Sequence, residues 1–292
     1  MTIWELHSIH KEYPINALCR LGRINKSSYY KWAGHKSSIN DDLNDYLADE
    51  IIQLHSQHPD MGYRRMRDVI AHDKNICVND KRVLRICRRK HIRSVLKDRY
   101  NCCTRSAVDP ANVADNILNC EFHADMPNQK WVTDVTSFKY GTTLANVRKL
   151  YLSAILDLCD HRPAAYVLSD HDDNAIVFNT LDAALENNPG VQPLLHSDRG
   201  YQYTSKPFHV KLINAGIKQS MSRVGHCTDN GPMEGFWGII KREMYYGKKF
   251  RTKEELEIAI RQYMDYYTKS RPQRGLGILT PQEYHNKISP AV

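Results

Sequence analysis

Residues 130–140 read KWVTDVTSFKY. The stretch is rich in β-branched and aromatic side chains, which predicts a strand. Asp134 sits in its middle, with Val132 and Val135 beside it and Thr133 and Thr136 around it. A charge inside a central first strand costs free energy unless it is paired or binds a cation. Asp134 therefore needs either a partner from elsewhere in the chain or a bound cation.

Working outward, KLYLSAILDLCD (149–160) and PAAYVLS (163–169) read as two further strands. DNAIVFNTLDAALENN (173–188) is a helix, VQPLLHSD (191–198) a short buried strand, and SKPFHVKLINAG (205–216) a helix that stops at Gly216. IKQSMS (217–222) is a last short strand. DNGPMEGFWGIIKRE (229–243) and TKEELEIAIRQYMDYYTKS (252–270) are helices, followed by an extended tail holding Pro272 and Pro281. Three strands in series, then alternating helices and strands, predict an α/β fold with a mixed sheet covered on both faces.

The other direction is helical. In INALCRLGRINKSSYYKW (15–32), Ile15, Leu18 and Leu21 keep helical spacing, Gly22 stops the helix, and Asn25 or Ser27 can cap a second one. This outlines a helix-turn-helix over residues 1–38. Leu43, Leu47, Ile51 and Leu54 stripe an acidic helix that ends near Pro59 and Gly62. YRRMRDVIAHD (63–73) and VNDKRVLRICRRKHI (78–92) give two more, the latter with Asn79 as cap. Val83, Ile86 and Cys87 can face inward there while Arg82, Arg85 and Arg89 share the opposite side. Residues 39–100 thus form a basic helical region. SAVDPANVADN (106–116) marks a linker over 101–126, and the sheet domain occupies 127–292.

Charge follows this division. The 292 residues carry a net +8, yet residues 61–105 alone hold 14 Lys and Arg against 4 Asp, so the rest is slightly acidic. A basic block beside such a remainder suits a polyanion-binding module joined to other work. Arg64, Arg65, Lys81, Arg82, Arg85, Arg88 and Arg89 are its DNA-binding candidates. No apolar run approaches the roughly 18 residues of a membrane span, and the first residues do not form a signal peptide, which points to the cytoplasm. The eight cysteines contain no C-x-x-C pair and read as reduced packing residues.

Asp198, at the exit of a buried strand, and Glu234, in the first turn of a helix beside Met233, Phe236 and Trp237, join Asp134 as candidate site residues. Singly, each has an ordinary explanation: turn chemistry for Asp198, the helix dipole for Glu234, an arginine partner for Asp134. Together they make an oxygen-rich site for Mg²⁺ or Mn²⁺, two ions of which can clamp an in-line phosphoryl transfer. Lys241, seven residues beyond Glu234, falls two turns along the same helix face and can hold a phosphate there. Asp157 reads as a turn cap or an arginine's partner, Asp229 as the cap that aims the Glu234 helix, and His196 as either a support for Asp198 or a packed core residue.

The stretches NQKWVTDVTSF, LDLCDHR, HSDRGYQYTS, MSRVGHCTDNGPMEGFWGIIKRE and YMDYYTKSRPQRGLGILTPQEY resemble the retroviral-integrase superfamily. More narrowly they are similar to the OrfB-type transposases of the bacterial insertion sequence 3 family. The 35 residues between Asp198 and Glu234 are the spacing of that group's D, D, E signature. The resemblance spans nearly the whole chain and implies an RNase H-like fold preceded by a helical DNA-binding region. It implies Asp134, Asp198 and Glu234 as catalytic metal ligands for two Mg²⁺ or Mn²⁺ ions, and a DNA contact near the cleaved end from Lys241; Arg242, its neighbour, is a further DNA-binding candidate. It implies strand cleavage at terminal inverted repeats, strand transfer into target DNA, and a working form that is a frameshift fusion with an upstream-frame product. Joining two ends calls for a homo-oligomer on DNA. The turn after Asp157 and Gly235 depart from the family's usual Ser-Arg and Ser. A nuclease without joining activity and a DNA-binding regulator with an inactive core are the rival readings.

Overall fold

The computed structural model describes residues 3–34, 38–96, 113–142 and 146–289. The predicted linker falls outside them as far as residue 112, and so do Cys102 and Cys103. Six helices come first: α1 (Ile3–Ile9), α2 (Ile15–Leu21), α3 (Lys26–Ala33), α4 (Ile39–Gln57), α5 (Tyr63–Lys74) and α6 (Asp80–Arg89). Their ends follow the local chemistry. The Asn25 and Asn79 side chains accept the N–H groups of Ser27 and Lys81, and Ser38 and Asp41 form a capping box on α4. Leu47 and Ile51 of α4, Met66 and Ile70 of α5, and Val83, Ile86 and Cys87 of α6 pack into one core, while Leu43 and Leu54 flank it.

The second half is a five-stranded sheet of β1 (Lys130–Tyr140), β2 (Arg148–Asp157), β3 (Pro163–Ser169), β4 (Leu194–Ser197) and β5 (Lys218–Met221), in the order β3-β2-β1-β4-β5. The first three strands are antiparallel neighbours, and β4 and β5 run parallel to β1. This is the RNase H-like arrangement, with β1 central. Side chains alternate between two cores. Val132, Phe138, Leu152 and Ala154 face α9 (Gly231–Ile240) and α10 (Lys253–Lys269); Trp131 and Ile155 face α7 (Asn174–Asn187) and α8 (Lys206–Asn214). Residues 113–126 are neither helix nor strand but pack along β5: the Ile117 and Leu118 N–H groups donate to Ser220 Oγ, and Met221 N–H donates to Asp115 O.

Two elements differ from expectation. The tail is not extended, because Pro281–Ile288 forms α11. Thr280 and Glu283 close a capping box around Pro281, a residue suited to the first turn of a helix. Lys241 does not continue α9 either: Lys241–Tyr245 is a π-helical turn.

The helical half docks on the last third of the chain through ion pairs. Arg274 reaches Asp68 at 2.7 Å and Asp80 at 2.8 Å, and Arg65 reaches both Asp60 and Glu243 at 2.9 Å. His72 meets Glu283 at 2.8 Å, and the His58 ring stacks on Tyr266. Cys19, Cys77, Cys87, Cys120 and Cys159 are free thiols. Among the described residues no helix is long and apolar enough to cross a membrane.

Candidate active site

The parallel register of β1 and β4 sets the site. Lys130 pairs with Leu194 and Val132 with His196, and the same offset carried on puts Asp134 level with Asp198, just where β4 ends. Sheet ends at which strands part are the usual place for ligands in such folds. Both acids are half-buried.

Each carboxylate is fixed by N–H donors. Asp134 Oδ1 accepts its neighbour Val135 N–H at 2.8 Å, and Oδ2 accepts the Trp237 indole N–H of α9 at 3.0 Å. Asp198 Oδ1 accepts Gly200 N–H at 2.8 Å. A Cβ on Gly200 would stand 3.0 Å from Asp198 Oδ1 and 3.0 Å from Gln202 Oε1, so a side chain there would press on the carboxylate.

These bonds do not balance the charge. Burial, then the Asp198 charge, push the Asp134 carboxyl up to about 7 against its hydrogen bonds and Lys241. Burial also raises Asp198, Gly200 N–H opposes it, and the Asp172 charge raises it further. Burial lowers the Lys241 ammonium, which the Asp134 charge partly restores, and its Nζ lies 5.8 Å from the centre of the Phe138 ring. Tyr203, wholly enclosed, bonds Thr133 Oγ1 beside the pair and is raised well above its ordinary range by burial and both acids.

Glu234 lies in the first turn of α9 with its side chain exposed. Its helix is tied to β1 twice: by Trp237 to Asp134, and by Asn230 Nδ2 to Thr133 O at 3.2 Å. The structure therefore brings Asp134 and Asp198 together and seats the Glu234 helix against the same strand. Among the described residues it gathers no group of three His, Cys, Asp or Glu placed to hold a metal ion.

The supporting residues are partly those expected. His196 bonds Ser220 Oγ at 2.8 Å and Ser222 Oγ at 3.1 Å rather than Asp198, and burial lowers it to about 4, so it is a neutral core histidine. Asp157 caps turns, accepting the N–H groups of Asn128 and Cys159 and the Trp131 indole. Asp229 is not the cap of α9. It sits in the 3₁₀ turn before that helix, where Arg223 grips it at 2.8 Å and Asn116 donates to it at 3.0 Å. Its carboxyl is held far below the usual range by the Arg223 hydrogen bond.

Asp172, Trp237 and Tyr203 were not picked out from the sequence. An acid in the run DHDDN carries no positional signal, and the two aromatics look like any core residue.

Of the cationic candidates, Arg64, Lys81, Arg85, Arg88, Arg89 and Arg242 are exposed. Arg65 and Arg82 are engaged within the chain, Arg65 by Asp60, Glu243 and Tyr266, Arg82 by Asn40 and Asn44.

The chain matches family models described as "Integrase core domain" over residues 124–227 and again over 215–281, and one described as "HTH-like domain" over 42–100. It is 35% identical over 284 residues to the putative transposase InsK for insertion sequence element IS150 of Escherichia coli, covering 97% of each chain. An uncharacterized transposase-like protein of Haemophilus influenzae is 37% identical over 73% of this chain and 96% of its own. The transposase InsF for insertion sequence IS3A of Escherichia coli is 25% identical over 94% of this chain and 95% of its own.

Proposed function

The chain belongs to the insertion-sequence transposases of the IS150 and IS3 type, and from that premise we propose that it cleaves DNA at the ends of its element and joins the freed 3′ ends to a target by transesterification. Asp134, Asp198 and Glu234 are the proposed catalytic and metal-binding acids. The observation that carries this reading is the Asp134–Asp198 pair, two carboxyls brought level by the strand register, held by N–H donors and both raised by burial, Asp134 further by the Asp198 charge and Asp198 by that of Asp172.

The donor set fits a hard divalent ion, Mg²⁺ or Mn²⁺, because it offers carboxylate oxygens with surplus negative charge. Two such ions, when bound, would supply Lewis-acid activation of the attacking oxygen and stabilise the leaving one. Asp134 and Asp198 would hold them, with Glu234 as the third ligand from α9. The rest falls to the chain's own groups. Val135, Trp237 and Gly200 fix the orientation of the two aspartates through their N–H groups. Lys241, near Asp134, would meet the scissile phosphate, and Arg242 the DNA beyond it.

Arg64, Lys81, Arg85, Arg88 and Arg89 would bind the backbone of the terminal repeat, with Arg65 and Arg82 bracing the helices that carry them. We assign residues 1–38 and 39–100 to end recognition, 101–126 to the connection and 127–292 to catalysis. Joining two ends calls for a homo-oligomer on DNA in the cytoplasm, with fusion to an upstream-frame product as a further proposed form. Asp198→Asn tests the assignment: it is expected to abolish cleavage and joining in Mg²⁺, at least about a thousandfold, with DNA binding intact. Wild-type activity in that variant would overturn the site. Cleavage of ends without joining by the wild type would make the protein a nuclease instead.

A further inference from the structure

Beyond the basic helices, the core carries a second cationic cluster that its own fold leaves uncompensated. Lys139 and Lys149 are direct cross-strand partners on β1 and β2, with Arg148 opposite Tyr140 next to them. Like charges placed opposite one another destabilise a hairpin. From Val135 to Leu156 the sequence has these three cations and no acid. Gly141 N–H, at the end of β1, donates to Phe250 O at 2.9 Å, which draws in the loop bearing Lys248, Lys249 and Arg251. That loop has no acid between Met244 and Thr252.

All six cations are exposed, and among the described residues none of their side chains has an ion-pair partner. Asp170, just beyond the Ser169–Tyr151 pair and so close to Lys149, is taken by Lys253. The frame beneath the cluster is firm. The Tyr245 hydroxyl accepts Lys139 N–H and donates to Lys139 O, both at 2.9 Å, and the Tyr245 ring stacks on Phe250 and packs edge-on against Phe138. A rigid platform that sets like charges side by side is suited to neutralisation by a polyanion.

We propose that Lys139 and Lys149 on one face of the β1–β2 hairpin, with Arg148, Lys248, Lys249 and Arg251 on the other, ring its outer end and bind the phosphate backbone of a DNA duplex that lies across it, without regard to sequence. Cations on a hairpin and a loop, with no helix to enter a major groove, contact phosphates rather than base edges. Lys139 stands five residues along β1 from Asp134, about 17 Å at strand rise, or about half a helical turn of DNA. The inference rests on the transposase reading and adds to it a contact for DNA that is not recognised by sequence, as target DNA must be.

The test uses the full chain and a random-sequence duplex, with affinity measured between about 50 and about 200 mM salt. Replacing Lys139, Lys149, Lys248 and Lys249 with Gln is expected to weaken binding at least about tenfold and to flatten the log–log salt slope by up to about 3.6. The melting temperature should hold or rise once the Lys139–Lys149 repulsion is gone. The matching Lys→Arg variant should bind as wild type does, which separates charge from folding. Unchanged affinity and slope in the Gln variant would overturn the proposal, as would loss of binding in the Arg variant. A flattened slope in a protein that joins no ends would leave the surface standing and remove the transposition reading alone.

Discussion

Two enclosed acid sites in the same half of the molecule meet opposite fates. Around Glu243, burial would raise the carboxyl, but Arg271 at 2.9 Å, Arg65 at 2.9 Å and the Tyr263 hydroxyl at 2.7 Å hold it below its ordinary range. Around Asp134 and Asp198, burial acts with almost nothing to oppose it but N–H donors and a half-buried Lys241. The first site is complete within the chain and clamps α5 of the helical half to the π turn and α10 of the core. The second lacks positive charge that the chain does not supply. On the proposed function, the carboxylate pair that fails to balance its own charge does the chemistry, and the balanced one holds the fold.

Breaking the balanced site should show first as lost stability. Glu243→Gln leaves Arg65 and Arg271 facing a neutral side chain in a largely enclosed place, and is expected to destabilise the protein by about 3–5 kcal/mol in chemical denaturation. A cost below about 1 kcal/mol would show that the clamp is ornamental.

Breaking the unbalanced site should do the reverse in metal-free protein. The folded Asp134 carboxyl, raised to about 7 from 3.8, binds a proton more readily than the unfolded one. The ionised pair therefore penalises the fold fully above pH 7, and the penalty fades as pH falls towards 4. His196, lowered to about 4, opposes this below its unfolded value of 6.5, because the fold must keep it neutral. Comparing variants at each pH removes the histidine from the account. Asp134→Asn is expected to raise metal-free stability by about 1–2 kcal/mol at pH 8 and by nearly nothing at pH 4. A constant difference across that range would contradict the charge argument.

Much of this was legible in the sequence because its signals are local. β1 announced itself by composition, Asp134 by its cost inside a strand, and Asp198 by its place at a strand exit. Asn25 and Asn79 showed as caps. What escaped was long-range or looked ordinary. Glu243 in KRE reads as a solvated helix charge until Arg65 and Arg271 arrive, and Asp68 meets Arg274 across 206 positions. The π turn at Lys241–Tyr245 ends on Tyr245, which packs against Phe138 and bonds Lys139 across about a hundred positions of sequence, and no helical periodicity encodes such contacts. The last helix is a different kind of miss: Thr280, Pro281 and Glu283 are a readable start signal, outweighed by treating proline as a breaker.

The central claim is that Asp134 and Asp198 repel one another until a divalent cation joins them. Melting of wild type and Asp134→Asn at pH 8, with and without saturating Mg²⁺ or Mn²⁺ and no DNA, tests it most directly. The cation is expected to raise the wild-type midpoint by several degrees and to leave the variant almost unmoved, erasing the variant's metal-free advantage. Equal shifts in both proteins, or none in the wild type, would contradict the account.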